Sequence, residues 1–414
     1  MHKLILKKVG PIDQCELAID NFTVLTGPQA AGKSTIAKSV AFFRTIKDDV
    51  CDAIIKKATN IQTKTLYKIV LQQIRNKFLQ IFGSSRAMDD NMEMVYYYDD
   101  NTYVKIHLEL KMGSDYISPN YIVIDFSQNI MNFLNCSPDF ISKEQTTMEL
   151  NNLFHDEYET VFIPAGRSLI TLLTTQLNYI FTSMDEEQKR TIDFCTQKYI
   201  ERILKIRPSF SNGAENYISG KRAGNKQITE CVKLSKQVIK GEYRFINGEE
   251  RLYLPNKHFV KINYTSSGQQ ETVWLINILL YQLANNSKTF VIIEEPEAHL
   301  YPNAQKVITD IILAFISNTN SALITTHSPY VLGTINNAIY ASSINKSQNG
   351  KYEEIDQIIN HLRWINGCGA YFVDNGAMNC CLEDESPLIK NEVIDGASSD
   401  INGDYDALFS LETR

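Results

Sequence analysis

GPQAAGKST, from Gly27 to Thr35, has the spacing G-x-x-x-x-G-K-[ST]. Gly27 and Gly32 allow a tight backbone turn whose N–H groups can face phosphate oxygens, with Pro28, Gln29, Ala30 and Ala31 forming the loop between them. Lys33 is placed to neutralise the β and γ phosphates of a nucleoside triphosphate. The Ser34 hydroxyl can ligate the Mg2+ that bridges those phosphates, and Thr35 adds a nearby hydroxyl. The apolar run Phe22 to Leu25 precedes the loop and a helix-compatible run, Ser34 to Phe43, follows it. The expected order is strand, phosphate loop and helix, with the helix N-terminus favouring the anion.

A second set of acids lies where TFVII, beginning at Thr289, ends in Glu294 and Glu295. A parallel strand ending there presents both carboxylates at the sheet edge where ligands sit. Glu294 is expected to hold the magnesium ion through its water shell, and Glu295 to orient or deprotonate the attacking water. The alternative is that the two acids cap a helix following Pro296. His327 comes after another apolar run, Ala322 to Ile324 and two threonines, with room for one helix and a return strand after Glu295. A right-handed parallel crossover would place its imidazole at the same edge, where it could contact the γ-phosphate and sense its loss.

SSGQQE, from Ser266 to Glu271, precedes the apolar segment Thr272 to Leu283. Ser267 and Gly268 therefore read as the start of a buried helix and a second anion site. A two-fold dimer can bring that start against its partner's phosphate loop, each subunit sealing the other's nucleotide. The plain alternative is a serine N-cap with Glu271 near the first turn.

In their order and wording, with EEPEAHLYP and TTHSP especially similar, these stretches resemble the ABC-type ATPase heads of the SMC, RecF and OLD families. That wording is most similar to the OLD-like and RecF-like branch, which includes many ATPases of bacterial antiphage systems. The resemblance covers roughly the first 45 residues and about 260 to 335, with a weaker match at FIPAGRS, Phe162 to Ser168. It implies a Walker A role for Gly27 to Thr35, with Glu294 and Glu295 as Walker B and catalytic glutamate. It further implies a trans-acting signature at Ser267, Gly268 and Gln269, a switch histidine at His327, and a partner-contacting loop at Ala298 and His299. The signature is shorter than the transporter form, and Glu294 stands where many relatives have aspartate. FIPAGRS occupies the Q-loop region without a glutamine, and Gln128 lies earlier. Its Arg167 could touch phosphate or a partner subunit, or pair with an acid.

These elements imply an α/β fold, a two-lobed ABC-type P-loop ATPase with a mainly helical insertion. Residues 1–167 form the first lobe with Walker A. It includes a basic helical stretch over 44 to 82, a hairpin from Val95 to Leu110 and a strand from Tyr121 to Phe126. Residues 168–240 read as a helical lid or docking platform, too short and too interrupted for a long coiled-coil arm. Residues 241–340 form the second lobe, and 341–414 a small acidic C-terminal subdomain with a hairpin and a terminal helix.

At 414 residues and 43% hydrophobic content, the chain can bury a large core. No run reaches the roughly 20 apolar residues needed to span a bilayer, and MHKLILKKVG is not a signal peptide, so the cytoplasm is expected. The eight cysteines show no zinc or disulfide spacing and read as reduced thiols. Net charge is −7, unevenly placed. Residues 383 to 406 are acidic, whereas Arg44, Lys47, Lys56, Lys57, Lys64, Lys68, Arg75 and Lys77 form a basic set that could follow a DNA backbone or simply be a solvated face.

After His327 no acid pattern resembles the metal-dependent nuclease domain of OLD proteins, so any effector is expected to be a separate polypeptide, a nuclease or a toxin. The implied function is an ATP-binding and ATP-hydrolysing switch, a homodimer or higher oligomer through ATP-sandwiched heads. In that reading it is the sensor or regulator of an antiphage defence system. The alternative is an SMC- or RecF-like ATPase acting directly on DNA in repair or genome maintenance. A transporter subunit is disfavoured by the missing Q-loop glutamine and the helical insertion.

Overall fold

The computed structural model describes residues 2–59, 65–112, 117–136, 142–172, 183–185, 191–222, 224–255, 258–316, 319–347 and 351–412. Its strands are β1 (Lys3–Val9), β2 (Ile12–Ala18), β3 (Phe22–Thr26), β4 (Glu93–Tyr97), β5 (Tyr103–Met112), β6 (Ile117–Phe126), β7 (Glu159–Ile163), β8 (Glu242–Ile246), β9 (Glu249–Tyr253), β10 (Phe259–Lys261), β11 (Thr289–Glu294), β12 (Ser321–Thr326), β13 (Gly369–Asp374) and β14 (Ala377–Cys380). Eleven of them form one sheet in the order β6-β5-β4-β1-β2-β14-β13-β3-β12-β11-β7, and β10-β9-β8 form a second. From β13 through β3, β12 and β11 to β7 the neighbours are parallel, whereas β2, β1, β4, β5 and β6 make an antiparallel meander.

The central strands are continuous apolar runs because both their faces are covered. Phe22, Val24, Val291, Ile293, Ala322 and Ile324 enter one core. Their alternates, Leu25, Phe290, Ile292 and Leu323, enter the other, as a period of two requires. The second core is closed by α1 (Lys33–Arg44), α2 (Ile46–Thr59), α3 (Leu66–Phe82), α4 (Gln128–Cys136) and α5 (Lys143–Leu153). The first is closed by α6 (Phe194–Ile206), α7 (Ala214–Arg222), α8 (Lys226–Ile239), α9 (Ser267–Asn285), α10 (Pro302–Ile316) and α11 (Pro329–Ser347). After α11 come α12 (Tyr352–Ile358) and the terminal α13 (Asn391–Glu412).

Apolar almost all round, α9 buries Trp274, Leu275, Ile276 and Leu279 to 1% exposure or less. Each such side chain contributes on the order of 1.5–3 kcal/mol of burial. The expected helices over 44 to 82 and the hairpin after Val95 are present as α2, α3 and β4–β5. Within 168–240 the helices α6, α7 and α8 pack into the first core, while 173–182, 186–190 and residue 223 lie outside the described residues.

The C-terminal hairpin is β13–β14, turned at Asn375 and Gly376, both at positive φ. It does not stand apart as an acidic subdomain. β13 pairs with β3 from Gly369↔Thr23 to Phe372↔Thr26, and β14 meets β2 at Ala377↔Gln14. β13 is thus an interior strand of the sheet, satisfying backbone groups of β3 that would otherwise be exposed there.

Candidate functional site

Register brings the motifs together. Thr26 pairs with Thr326, and Thr325 with Glu294, so Gly27, Glu295 and His327 all leave the same end of three adjacent strands. The phosphate loop is shaped by its surroundings. A side chain at Gly27, whose φ is +135°, would put Cβ 2.2 Å from the Val373 carbonyl oxygen of β13. Gly32, at φ +107°, caps α1, and a Cβ there would lie 2.4 Å from Ile12 Cδ1. Pro28, Gln29 and Ala30 are exposed, and Ala31 is buried. The first turn of α1 begins at Lys33, so the amides of Lys33, Ser34 and Thr35 have no acceptor within the helix.

Lys33 Nζ donates to the Gly27 oxygen at 2.8 Å and the Pro28 oxygen at 2.6 Å, and lies 3.4 Å from His327 Nδ1. Burial lowers its pKa below the ordinary lysine value, opposed by the negative charges of Glu295 and Glu297. His327 Nε2 is in turn 3.3 Å from Glu295 Oε1. Glu295 adopts φ +44°, uncommon for a residue with a side chain, and its N–H donates to the Thr325 oxygen at 2.9 Å.

Glu294 is 4% exposed, and one of its carboxylate oxygens, Oε2, accepts the Ala165 N–H at 3.2 Å. Burial raises its carboxyl above the usual carboxylate range, against the smaller opposing effects of the Ser34 hydroxyl and the Ala165 amide. Its Oε1 is buried and has no hydrogen-bond partner. An unshared carboxylate oxygen beside the Ser34 hydroxyl fits a hard divalent cation, held through water and nucleotide phosphates. Among the described residues, no group of three or more histidines, cysteines or acids could hold a metal alone. The helix expected after Pro296 begins instead at Pro302, so the two acids do not cap it.

At the start of α9, Ser266 is the N-cap. Its hydroxyl accepts the Gln269 N–H, and the Gln269 side chain accepts the Ser266 N–H at 3.1 Å. Gln269 Nε2 donates to the Ile239 oxygen at 2.7 Å, so this side chain is engaged within its own chain. Ser267 is exposed, while a Cβ at Gly268 would come within 2.9 Å of the His299 oxygen. Glu271 is not the capping partner; it is fully buried against Arg167. Arg167 therefore pairs with an acid.

Two contributors, Glu297 and Gln305, were not singled out from the sequence. Glu297 Oε1 accepts the Thr326 hydroxyl at 2.7 Å and the His327 N–H at 2.8 Å, which holds the histidine's backbone. Gln305 Oε1 accepts the Ser328 hydroxyl at 2.5 Å, and Ser328 Oγ accepts the Tyr330 N–H at the start of α11. The third acid of EEPE was the available signal for Glu297; nothing local marked Gln305.

Four of the eight residues of the basic set are engaged by the fold. Arg44, Lys47 and Lys77 are buried, with Arg44 and Lys47 on Asp156 and Lys77 on Asp49. Arg75 donates to the Ile122 oxygen, and Lys64 lies outside the described residues. All eight cysteines are free. Among the described residues no helix is long and apolar enough to cross a membrane.

No curated protein matches the chain. Among solved structures, an Smc head bound to the C-winged-helix domain of ScpA is 13% identical, covering 92% of this chain and 97% of that one, with a TM-score of 0.45. The Smc head with an extended coiled coil bound to the C-terminal domain of ScpA, from Pyrococcus furiosus, is 12% identical over 92% and 96%, with a TM-score of 0.42. The SMC head domain from Thermotoga maritima is 13% identical over 91% and 97%, with a TM-score of 0.36. Residues 1–332 match the AAA ATPase domain family, and the chain belongs to that family.

Proposed function

We propose that the protein hydrolyses ATP and uses it to join and release two copies of its own head, acting as the regulator of a bacterial antiphage defence system with a separate effector. The observation that carries the ATPase part is the Lys33–His327–Glu295 chain at the end of three parallel strands, beside the unshared oxygen of Glu294. Lys33 exchanges its two loop carbonyls for β and γ phosphate oxygens. Glu295 orients the attacking water and takes its proton as the water oxygen bonds to the γ-phosphorus and the bond to ADP breaks. His327 meets the γ-phosphate and is freed when it leaves. Ser34 and Glu294 would hold Mg2+, which supplies charge neutralisation at the transferring phosphoryl group.

The exposed Ser267 and the loop carrying Ala298 and His299 suit contact with a second head. The defence role rests on the resemblance of EEPEAHLYP and TTHSP to the OLD-like and RecF-like branch. The engagement of Arg44, Lys47, Arg75 and Lys77 inside the fold favours this reading over direct action on DNA.

Two measurements test it. Turnover by the wild-type chain should be abolished by Glu295→Gln and by Lys33→Ala; equal rates in all three would remove the ATPase reading. The Glu295→Gln chain, tagged in its native host and purified with magnesium and ATP, should retain a stoichiometric nuclease or toxin. Recovery of DNA with repair proteins instead, and DNA binding weakened by charge reversal at Lys56 and Lys57, would favour genome maintenance.

A further inference from the structure

Arg167 and Glu271 are both fully buried, and together they bridge the first turn of α9 to the end of β11. Glu271 Oε2 accepts the Arg167 N–H at 3.1 Å and lies 3.2 Å from Arg167 Nε, while Oε1 accepts the Ser168 N–H at 2.9 Å. Arg167 Nε also donates to the Glu271 backbone oxygen at 3.0 Å. The fork of the guanidinium points the other way. Nη1 donates to the Pro164 oxygen at 2.8 Å and the Glu294 oxygen at 2.6 Å, and Nη2 donates to the Glu295 oxygen at 2.9 Å.

Those last two carbonyls flank the φ torsion of Glu295, which is held at +44°. A planar guanidinium that grips both limits rotation about that torsion, and so fixes the direction in which the Glu295 side chain leaves the strand end. A lysine in the same place carries one compact ammonium, which could not reach both carbonyls and also keep the contacts that Nε makes with Glu271. The loop after Glu295 returns to the same acid: His299 Nδ1 is 3.6 Å from Glu271 Oε1, and the His299 carbonyl packs where a side chain at Gly268 would be.

We infer that Arg167 is a positioning residue for Glu295, and that Glu271 makes this positioning depend on the first turn of α9. The inference rests on the reading of Glu295 as the group that acts on water. It adds a regulatory route to that site. Ser267 and Gly268 belong to the same turn as Glu271, so whatever engages them moves the acid that anchors Arg167. In a two-headed assembly, occupancy of the partner's site would thereby be felt at the subunit's own Glu295.

The test compares wild type, Arg167→Lys and Glu271→Gln for binding of a fluorescent ATP analogue and for steady-state turnover, with melting curves to check folding. Expected is a Kd within about threefold of wild type and a kcat lower by at least about thirtyfold in both variants, because Lys33 and its loop are untouched. A kcat within about twofold of wild type, or parallel losses of affinity and kcat, would overturn the proposal. Absence of Glu295-dependent turnover in the wild-type chain would instead remove the ATPase reading, and this proposal with it.

Breaking a buried pair can unfold a chain. In that event amide exchange of the wild-type chain decides. The amides of Glu295, Ala298 and the first turn of α9 should open with one common rate, and independent rates would overturn the coupling.

Discussion

Glu295 Oε1 and His327 Nε2 lie 3.3 Å apart, although the two residues end different strands. Lys33 Nζ sits 3.4 Å from the other ring nitrogen, so a charged Lys33 donating to Nδ1 leaves the proton on Nε2, directed at Glu295. One imidazole thus joins the phosphate loop to the acid proposed to orient water. His327→Ala should lower kcat by about 100-fold while nucleotide affinity changes by less than about tenfold. Single-turnover and binding measurements check this, and equal losses in both would make His327 a binding residue only.

Glu297 holds the histidine's backbone. Glu297→Ala leaves the Thr326 hydroxyl and the His327 N–H without their acceptor, at about 1–3 kcal/mol for each unsatisfied group. Glu297→Gln keeps an acceptor oxygen and should stay within about 1 kcal/mol of wild type. Urea denaturation of the two variants measures the difference; equal destabilisation would show that charge, not acceptance, is what matters there.

Gly27→Ala tests the seam between the phosphate loop and the C-terminal hairpin. The added Cβ would meet the Val373 carbonyl at 2.2 Å from a backbone at φ +135°. The variant should lose about 1–3 kcal/mol of stability from backbone strain alone. ATP binding should fall with it. Retention of both stability and affinity would mean that β13 does not press on the loop in solution.

Glu294 predicts a pH dependence of cation binding. Its folded pKa is raised by burial, so the folded chain takes up a proton more readily than the unfolded one. Without a cation, its contribution therefore turns unfavourable as pH rises from the ordinary carboxylate pKa through the raised one. A bound cation displaces that proton, so the increase in Tm given by Mg2+ with ADP should be larger near about pH 7.5 than near about pH 5. Glu294→Gln should flatten this dependence; an unchanged pH profile would remove Glu294 from the cation site.

Local pattern made much of this site readable. The glycines of the phosphate loop, the apolar runs at Phe22, Thr289 and Ala322, and the acid and histidine after them imply adjacent strand ends with no knowledge of the fold, because strand periodicity and parallel crossovers leave few arrangements. The length and burial of α9 were legible for the same reason.

What tertiary structure alone decided is who pairs with whom. Backbone hydrogen bonds do not depend on side-chain identity, so nothing in GAYFVD announced that it lies against β3 and gives Gly27 its neighbour. The sequence left Arg167 between phosphate, a partner subunit and an acid; burial made it find a carboxylate and four carbonyls. Gln269 looked like part of an exposed signature, but the nearest unpaired amide, at Ser266, claimed its side chain. The sequence by itself determined the chemistry available at the strand ends. The packing of distant segments decided which groups are free to perform it, since a buried polar group must be satisfied by whatever the fold brings near.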